Sequence, residues 1–245
     1  MHYVCCDIHG QYDLYMELLR QIDLQPEDTL YVLGDVIDRG PDSIGILKDM
    51  MERDNVEMFT GNHEMMMLDY LGVGGDKSSW FYGNNGGQIT HSQYMALPWK
   101  EQALILRYLK HAWIQKYITV DGTDYALHHS YFLPRRKGEN VRYCEESGQA
   151  DVFKAVWYSP YRMWEYAGPS EYDDGYVHLI GHVPVQNFHK ERPPLYNDVL
   201  GDRLINLDGG CALLYFGYQG GLYCMSLEKD GSGERKEFWI PGQAR

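Results

Sequence analysis

The chain has 245 residues, 44% of them hydrophobic, which is enough for a substantial buried core and too apolar for a disordered chain. Its 22 Lys and Arg against 35 Asp and Glu leave a formal net charge of −13. That balance argues against a nucleic-acid partner and against attachment to an anionic membrane, but not against a phosphorylated substrate, because metals and one or two arginines can reverse the field inside a cleft.

Tyr3 to Cys6 is a short apolar run that predicts a buried strand. Asp13 to Ile22 has helical spacing through Leu14, Leu18 and Ile22. Thr29 to Leu33 predicts a second strand, and Ser43 to Met51 a second helix. Val56 to Thr60 predicts a third strand, followed by a helix from Glu64 to Leu71. Strands alternating with helices imply crossover units and a largely parallel sheet, with ligands bound beyond the carboxyl ends of its strands. Residues 72–90 are rich in Gly, Asn and Ser and read as a long surface loop that holds Trp80, Phe81 and Tyr82. A helix is expected from about Lys100 to Lys110, and residues 134–150 read as a polar loop.

The last third changes character. Tyr117–Val120, Tyr125–Leu127, Val177–Ile180, Leu204–Asn206, Ala212–Phe216 and Leu222–Leu227 are strand-like, and Gly and Asp separate most of them. They favour a second, more antiparallel sheet. The expected architecture is α/β, a two-sheet β-sandwich flanked by helices, in a single domain over residues 1–245 with no internal repeat. The five cysteines are irregularly spaced and lack a C-x-x-C pair, so they read as reduced thiols in a cytoplasmic protein. No signal peptide is read at the start, and no apolar run approaches the roughly 18 residues of a membrane span.

Three blocks carry the chemistry: Asp7-Ile8-His9, Gly34-Asp35 with Asp38-Arg39-Gly40, and Gly61-Asn62-His63-Glu64. Each sits where a predicted strand ends. Asp7 and His9 are two apart, so in extended geometry both side chains face one ion. Asp35 is placed to bridge two cations, as sites with ions about 3.5–4 Å apart require. Arg39 offers a planar fork for phosphate oxygens. Asn62 supplies a neutral oxygen ligand, and His63 can donate a proton with Asp38 orienting its ring. Later histidines follow two more predicted strands, at Leu127-His128-His129-Ser130 and at Gly181-His182-Val183-Pro184. Singly, each block reads as an ordinary turn. Their order and common position at strand ends point to a two-metal phosphoester hydrolase. His2, His91, His111, His178 and His189 lack such a context and read as surface or satisfied core residues.

The ordered blocks resemble the phosphoprotein phosphatase family of serine/threonine phosphatases, within the calcineurin-like metallophosphoesterases, and its small bacterial and phage members above all. Trp80–Thr90 and Ile205–Cys211 add to the likeness. The resemblance implies one metal on Asp7, His9 and Asp35, and a second on Asp35, Asn62, His129 and His182. It implies His63 as general acid with Asp38, and phosphate binding by Arg39 and by Arg162, which ends Trp157-Tyr158-Ser159-Pro160-Tyr161-Arg162. His129 is chosen over His128 by the family's spacing from Leu127. The chain departs from the pattern at Cys6, where the family usually has Gly, and at Ser130-Tyr131. Hard oxygen and nitrogen ligands favour two divalent ions, Mn²⁺ first, with Fe or Zn as alternatives.

The resemblance implies direct attack on phosphorus by a hydroxide held between the metals, with phosphoserine and phosphothreonine proteins, and phosphotyrosine as an extension, as substrates. A dinucleoside polyphosphate hydrolase is the alternative, against which Glu64 leans, because symmetrical diadenosine tetraphosphate hydrolases usually carry Asp there. A metal-free binding scaffold is the third reading, disfavoured because no metal position is lost. Residues 72–90 and 131–150 are expected to wall the cleft, with Tyr131, Phe132, Arg135, Arg136 and Lys137 either contacting substrate or forming a solvated loop.

Overall fold

A computed structural model describes residues 1–72, 79–146, 150–161 and 169–243. Among these, eleven strands run in chain order: β1 (His2–Cys5), β2 (Thr29–Val32), β3 (Val56–Met58), β4 (Trp113–Val120), β5 (Thr123–His128), β6 (Val141–Arg142), β7 (Val177–Ile180), β8 (Leu195–Asn197), β9 (Gly201–Asn206), β10 (Gly221–Lys229) and β11 (Arg235–Pro241). One sheet has the order β11-β10-β1-β2-β3, the other β6-β4-β5-β7-β9-β8. In the first, β1, β2 and β3 are parallel. Helix α1 (Tyr12–Ile22) follows β1 and α2 (Ser43–Glu52) follows β2, and these make the crossovers. Tyr15, Leu18, Leu19 and Ile22 put one buried face of α1 on the sheet at helical spacing. Asp42 caps α2 by accepting from Gly45 N–H at 2.7 Å.

Period-two alternation assembles the cores. Tyr3 and Cys5 of β1, and Leu30 and Val32 of β2, face the helices. Val4, Cys6, Tyr31 and Leu33 face the second sheet, where they meet Tyr125, Leu127, Leu179 and Ile205. Leu222–Leu227, expected in the second sheet, instead lies in β10 and pairs antiparallel with β1. It alternates like β1, with Leu222 and Cys224 towards the helices and Tyr223, Met225 and Leu227 towards the other sheet. The second sheet is mixed: β5–β7 and β7–β9 are parallel, whereas β4–β5, β4–β6 and β8–β9 are antiparallel. Ala212–Phe216 is not a strand. Cys211–Leu214 forms a helical turn after Gly210, whose φ of 79° breaks the extended chain.

The stretch read as a loop over 72–90 holds the start of a helix, Gly87–Met95, and Trp80 within it is fully buried. Residues 73–78 lie outside the described set. The polar stretch 134–150 contains β6 and a helical turn, Tyr143–Glu146, and its residues 147–149 are likewise outside. Arg135 and Arg136 there pair with Asp151, Glu139 and Glu146. Within the described residues no helix is long and apolar enough to cross a membrane, and all five cysteines are free.

On the outer face of the second sheet, His128 and His178 are fully buried and bonded to each other at 2.9 Å. His178 also bonds Asp174 at 2.9 Å, and Lys137 pairs with that carboxylate at 2.8 Å. Burial opposes the ionised carboxylate, but His178 and Lys137 prevail and hold the Asp174 pKa well below the ordinary range. A depressed folded pKa contributes stability above the ordinary carboxylate pKa and loses it as pH falls towards the folded value. Asp174→Asn should therefore cost about 1–3 kcal/mol near pH 7 and progressively less in acid, read from urea midpoints across that range. An equal loss at every pH would reject the ion-pair account.

Candidate metal centre

The loops leaving β1 and β2 are zipped together. Asp7 N–H donates to Gly34 O at 3.0 Å, His9 to Asp35 O at 2.9 Å and Gly10 to Val36 O at 2.7 Å. Across the sandwich, Gly181 N–H donates to His129 O at 2.8 Å, which holds the segments after β5 and β7 side by side. The chain turns sharply in these loops. Asp7, His9, Asp35, Asp38, Arg39 and His182 all have φ between 48° and 73°, a region that costs a residue with a Cβ about 1–2 kcal/mol. Gly61 and Gly181 allow the closest approaches, since a Cβ on Gly61 would overlap Asp35 and one on Gly181 would overlap Asp7 and Cys6. Cys6, one of the departures from the family pattern, thus packs against a residue that has no side chain.

The candidate residues converge on Asp35. The ligand atoms of His9, Asp35 and His63 lie within 4.8 Å of one another, and so do those of Asp35, His129 and His182. His9 Nε2 is 3.6 Å and His63 Nε2 4.0 Å from Asp35 Oδ2, while His129 Nε2 is 3.7 Å from Oδ1. Asn62 Oδ1 lies 3.2 Å from His129 Nε2 and 3.0 Å from His182 Nδ1. Asp7 enters from the side, its Oδ2 accepting the His182 N–H at 3.0 Å. Arg39 Nη1 donates to His9 Nε2 at 2.9 Å. His63 Nδ1 is 2.7 Å from Asp38 Oδ2. His128 points to the opposite face of β5, away from this cluster, as expected when His129 is the inward residue. Arg162 lies outside the described residues. The segment leading to it reaches the centre, for the Trp157 ring stands edge-on to His182 with centroids 5.9 Å apart.

Second contacts set the imidazole tautomers. His129 Nδ1 faces Leu33 O at 2.7 Å and His9 Nδ1 faces Ile37 O at 3.2 Å. A carbonyl only accepts, so each Nδ1 carries the proton and each Nε2 turns a lone pair inward. Burial, with Arg39 and His63 adding to it, holds the His9 pKa well below its ordinary value, so its ring is neutral. The carboxylates move the other way. Burial, then Asp208 and Asp35, raise the Asp7 pKa, and burial raises Asp38 to about 7. Burial also lowers His63 to about 3. Asp7 Oδ1 is buried without a hydrogen-bond partner. A crowd of buried acids, inward lone pairs and an unpartnered carboxylate oxygen is a donor set that fits divalent cations, and its hard O and N atoms include no thiolate.

Two contributors went unassigned in the sequence. Trp80 Nε1 donates to Asp38 Oδ2 at 2.8 Å, so the ring in the supposed loop fixes the partner of His63. Asp38 N–H is held in turn by Ser43 and Thr90. The second is Glu64, whose carboxylate accepts four backbone N–H groups: Gly61 at 2.8 Å, Asp35 at 2.9 Å, Val36 at 2.8 Å and Ile37 at 3.3 Å. Burial and Asp35 push its pKa up to about 8, and the N–H groups oppose the rise. Glu64 is a brace between two loops. Glu64→Ala should lower stability by at least about 3 kcal/mol in urea denaturation, because four buried N–H donors lose their acceptor. A change under about 1 kcal/mol would reject that role.

Residues 3–217 match the calcineurin-like phosphoesterase family. Over 68 residues the chain is 41% identical to a symmetrical bis(5'-nucleosyl)-tetraphosphatase of Chromobacterium violaceum, a stretch that spans 27% of this chain and 24% of that protein. A solved structure assigned as a diadenosine tetraphosphatase superposes with a TM-score of 0.61 at 18% identity, covering 98% of this chain and 93% of the other. A protein serine/threonine phosphatase from Saccharomyces cerevisiae superposes with a TM-score of 0.60 at 16% identity, covering 98% and 79%. At these identities the two structures speak for the fold alone. With the family matched over most of its length and its two sheets closed around clustered Asp and His side chains, the chain belongs to the calcineurin-like phosphoesterases.

Proposed function

We propose that the protein is a dinuclear-metal phosphoester hydrolase acting on dinucleoside polyphosphates, with diadenosine tetraphosphate as the representative substrate. The observation that carries the hydrolase reading is the place of Asp35, common to both ligand groups, with the His63–Asp38 pair beside it. The substrate rests on a 68-residue stretch that is 41% identical to a symmetrical bis(5'-nucleosyl)-tetraphosphatase. Glu64 no longer weighs against that substrate, because its carboxylate is spent on four backbone N–H groups and its identity answers to loop geometry.

In this reading Asp7, His9 and Asp35 hold one ion, and Asp35, Asn62, His129 and His182 the other. Mn²⁺ suits the donors, as do Fe and Zn. When bound, two such ions lower the pKa of water and polarise the phosphoryl group. Arg39 grips phosphoryl oxygens, with Arg162 as its proposed partner. Asp38, itself fixed by Trp80, turns His63 so that Nε2 faces the reacting centre. An arriving phosphoryl anion raises the proton affinity of that ring, so Nε2 takes up a proton from solvent as the substrate binds, passes it to the leaving oxygen and returns to the neutral imidazole.

A second reading, hydrolysis of phosphoserine and phosphothreonine in proteins, is kept on the ordered blocks that resemble phosphoprotein phosphatases. The test sets diadenosine tetraphosphate beside a panel of phosphoserine and phosphothreonine peptides, each with the Mn²⁺-loaded enzyme. The nucleotide should be cleaved with the higher kcat/KM, and the reverse order would move the protein to the second reading. His63→Asn should keep its metal content by elemental analysis. It should lose about 10²–10⁴-fold on an alkyl phosphate and much less on p-nitrophenyl phosphate, whose leaving group needs little protonation. An equal loss on both would rule out the acid role.

A further inference from the structure

Arg39 has two neighbourhoods. Its guanidinium reaches His9 Nε2 in the centre, and the same residue lines a hollow of about 250 Å³ on the molecular surface. Gln11, Leu214 and Gln243 are shared with an adjoining hollow of about 340 Å³. Together they reach the size range of small-ligand sites, about 300–1,000 Å³. The walls are of two kinds. Tyr215, 39% exposed, and Ile89 offer apolar faces, and Phe216 stands edge-on to the Tyr215 ring at 5.1 Å. The amides of Gln11 and Gln243 make no hydrogen bond to any described residue, and they offer donors and acceptors to the edge of a flat ring.

We infer that this hollow is a nucleobase subsite: a nucleotide whose phosphate is held at Arg39 stacks its base on Tyr215 and meets Gln11 and Gln243 along its edge. The inference rests on the nucleotide reading of the substrate. A ligand that enters beside Arg39 carries phosphate at one end, and the group that follows lies over the aromatic wall. A base suits that wall because every base has a π face, and stacking tolerates base identity. No other exposed aromatic residue among those described lines a hollow shared with Arg39.

The test compares AMP with inorganic phosphate by titration calorimetry on the Mn²⁺-loaded protein, in the wild type, Tyr215→Ala and Tyr215→Phe. AMP should bind the wild type about tenfold more tightly than phosphate. Tyr215→Ala should erase that preference and leave phosphate affinity within about twofold, while Tyr215→Phe should retain it. Equal binding of AMP and phosphate by the wild type overturns the subsite, as does an AMP preference that survives Tyr215→Ala. A Tyr215→Ala loss that falls equally on a phosphopeptide and on AMP also overturns it, because the hollow would then serve peptides. If AMP is preferred but diadenosine tetraphosphate is not cleaved, the subsite stands and the proposed substrate fails.

Discussion

One buried carboxylate sets the geometry on which the centre depends. Glu64 collects N–H groups from Gly61, beyond β3, and from three successive residues after β2, and so pins the third loop to the second. Asp35 lies between them, and its Oδ1 accepts the His63 N–H at 3.0 Å. The result is a rigid seat in which an aspartate facing two sets of ligands has little freedom to turn away. A carboxylate that binds only backbone donors leaves no orphan N–H in a region that solvent does not reach. This arrangement also explains why so polar a cluster survives burial at all.

The backbone around that seat is strained. Six residues with side chains occupy the left-handed region, each of them an aspartate, a histidine or the arginine of the cluster. Such conformations persist where surrounding bonds over-determine them. Here the bonds are visible: the zipper between the first two loops, the Gly181–His129 link, and Asp7 accepting the His182 N–H. The sheets supply the fixed points and the loops carry the strain, so side chains that repel one another are held at short range. Divalent cations would relieve the repulsion, which is why metal loading and local rigidity are expected to be linked.

Much of this was legible in the chain. β1, β2 and β3 and their following helices stand out by periodicity, and the chemistry-bearing residues sit where those strands end, so Asp7, His9, Asp35, Asp38, Arg39, Asn62 and His63 can be placed together on one edge. His129 and His182 follow strands of the other sheet and read as imidazole ligands from their place at strand ends, while the choice of His129 over His128 came from the family resemblance. What stayed hidden is non-local. Nothing in Leu222–Leu227 says that it joins the first sheet, because a strand buried on both faces reads the same in either sheet. Trp80 lies in a Gly- and Asn-rich stretch that looks solvated, yet it packs in the core against Tyr70, Phe81 and His91 and bonds Asp38 across 42 positions. Glu64 was visible as a residue but not as a brace, since its partners are main-chain groups.

The bond from His182 to Asp7 spans 175 positions of the chain. A nascent chain that has emerged only through the helix Asn62–Tyr70 already holds Asp7, His9, Asp35, Asn62 and His63, but neither imidazole from the second sheet. The second ligand group cannot close until β5 and β7 have been made and paired, and contacts so far apart in sequence form late. Ion capture at full coordination is thereby deferred until the sandwich is nearly complete. A half-made chain therefore lacks the complete cluster by topology alone.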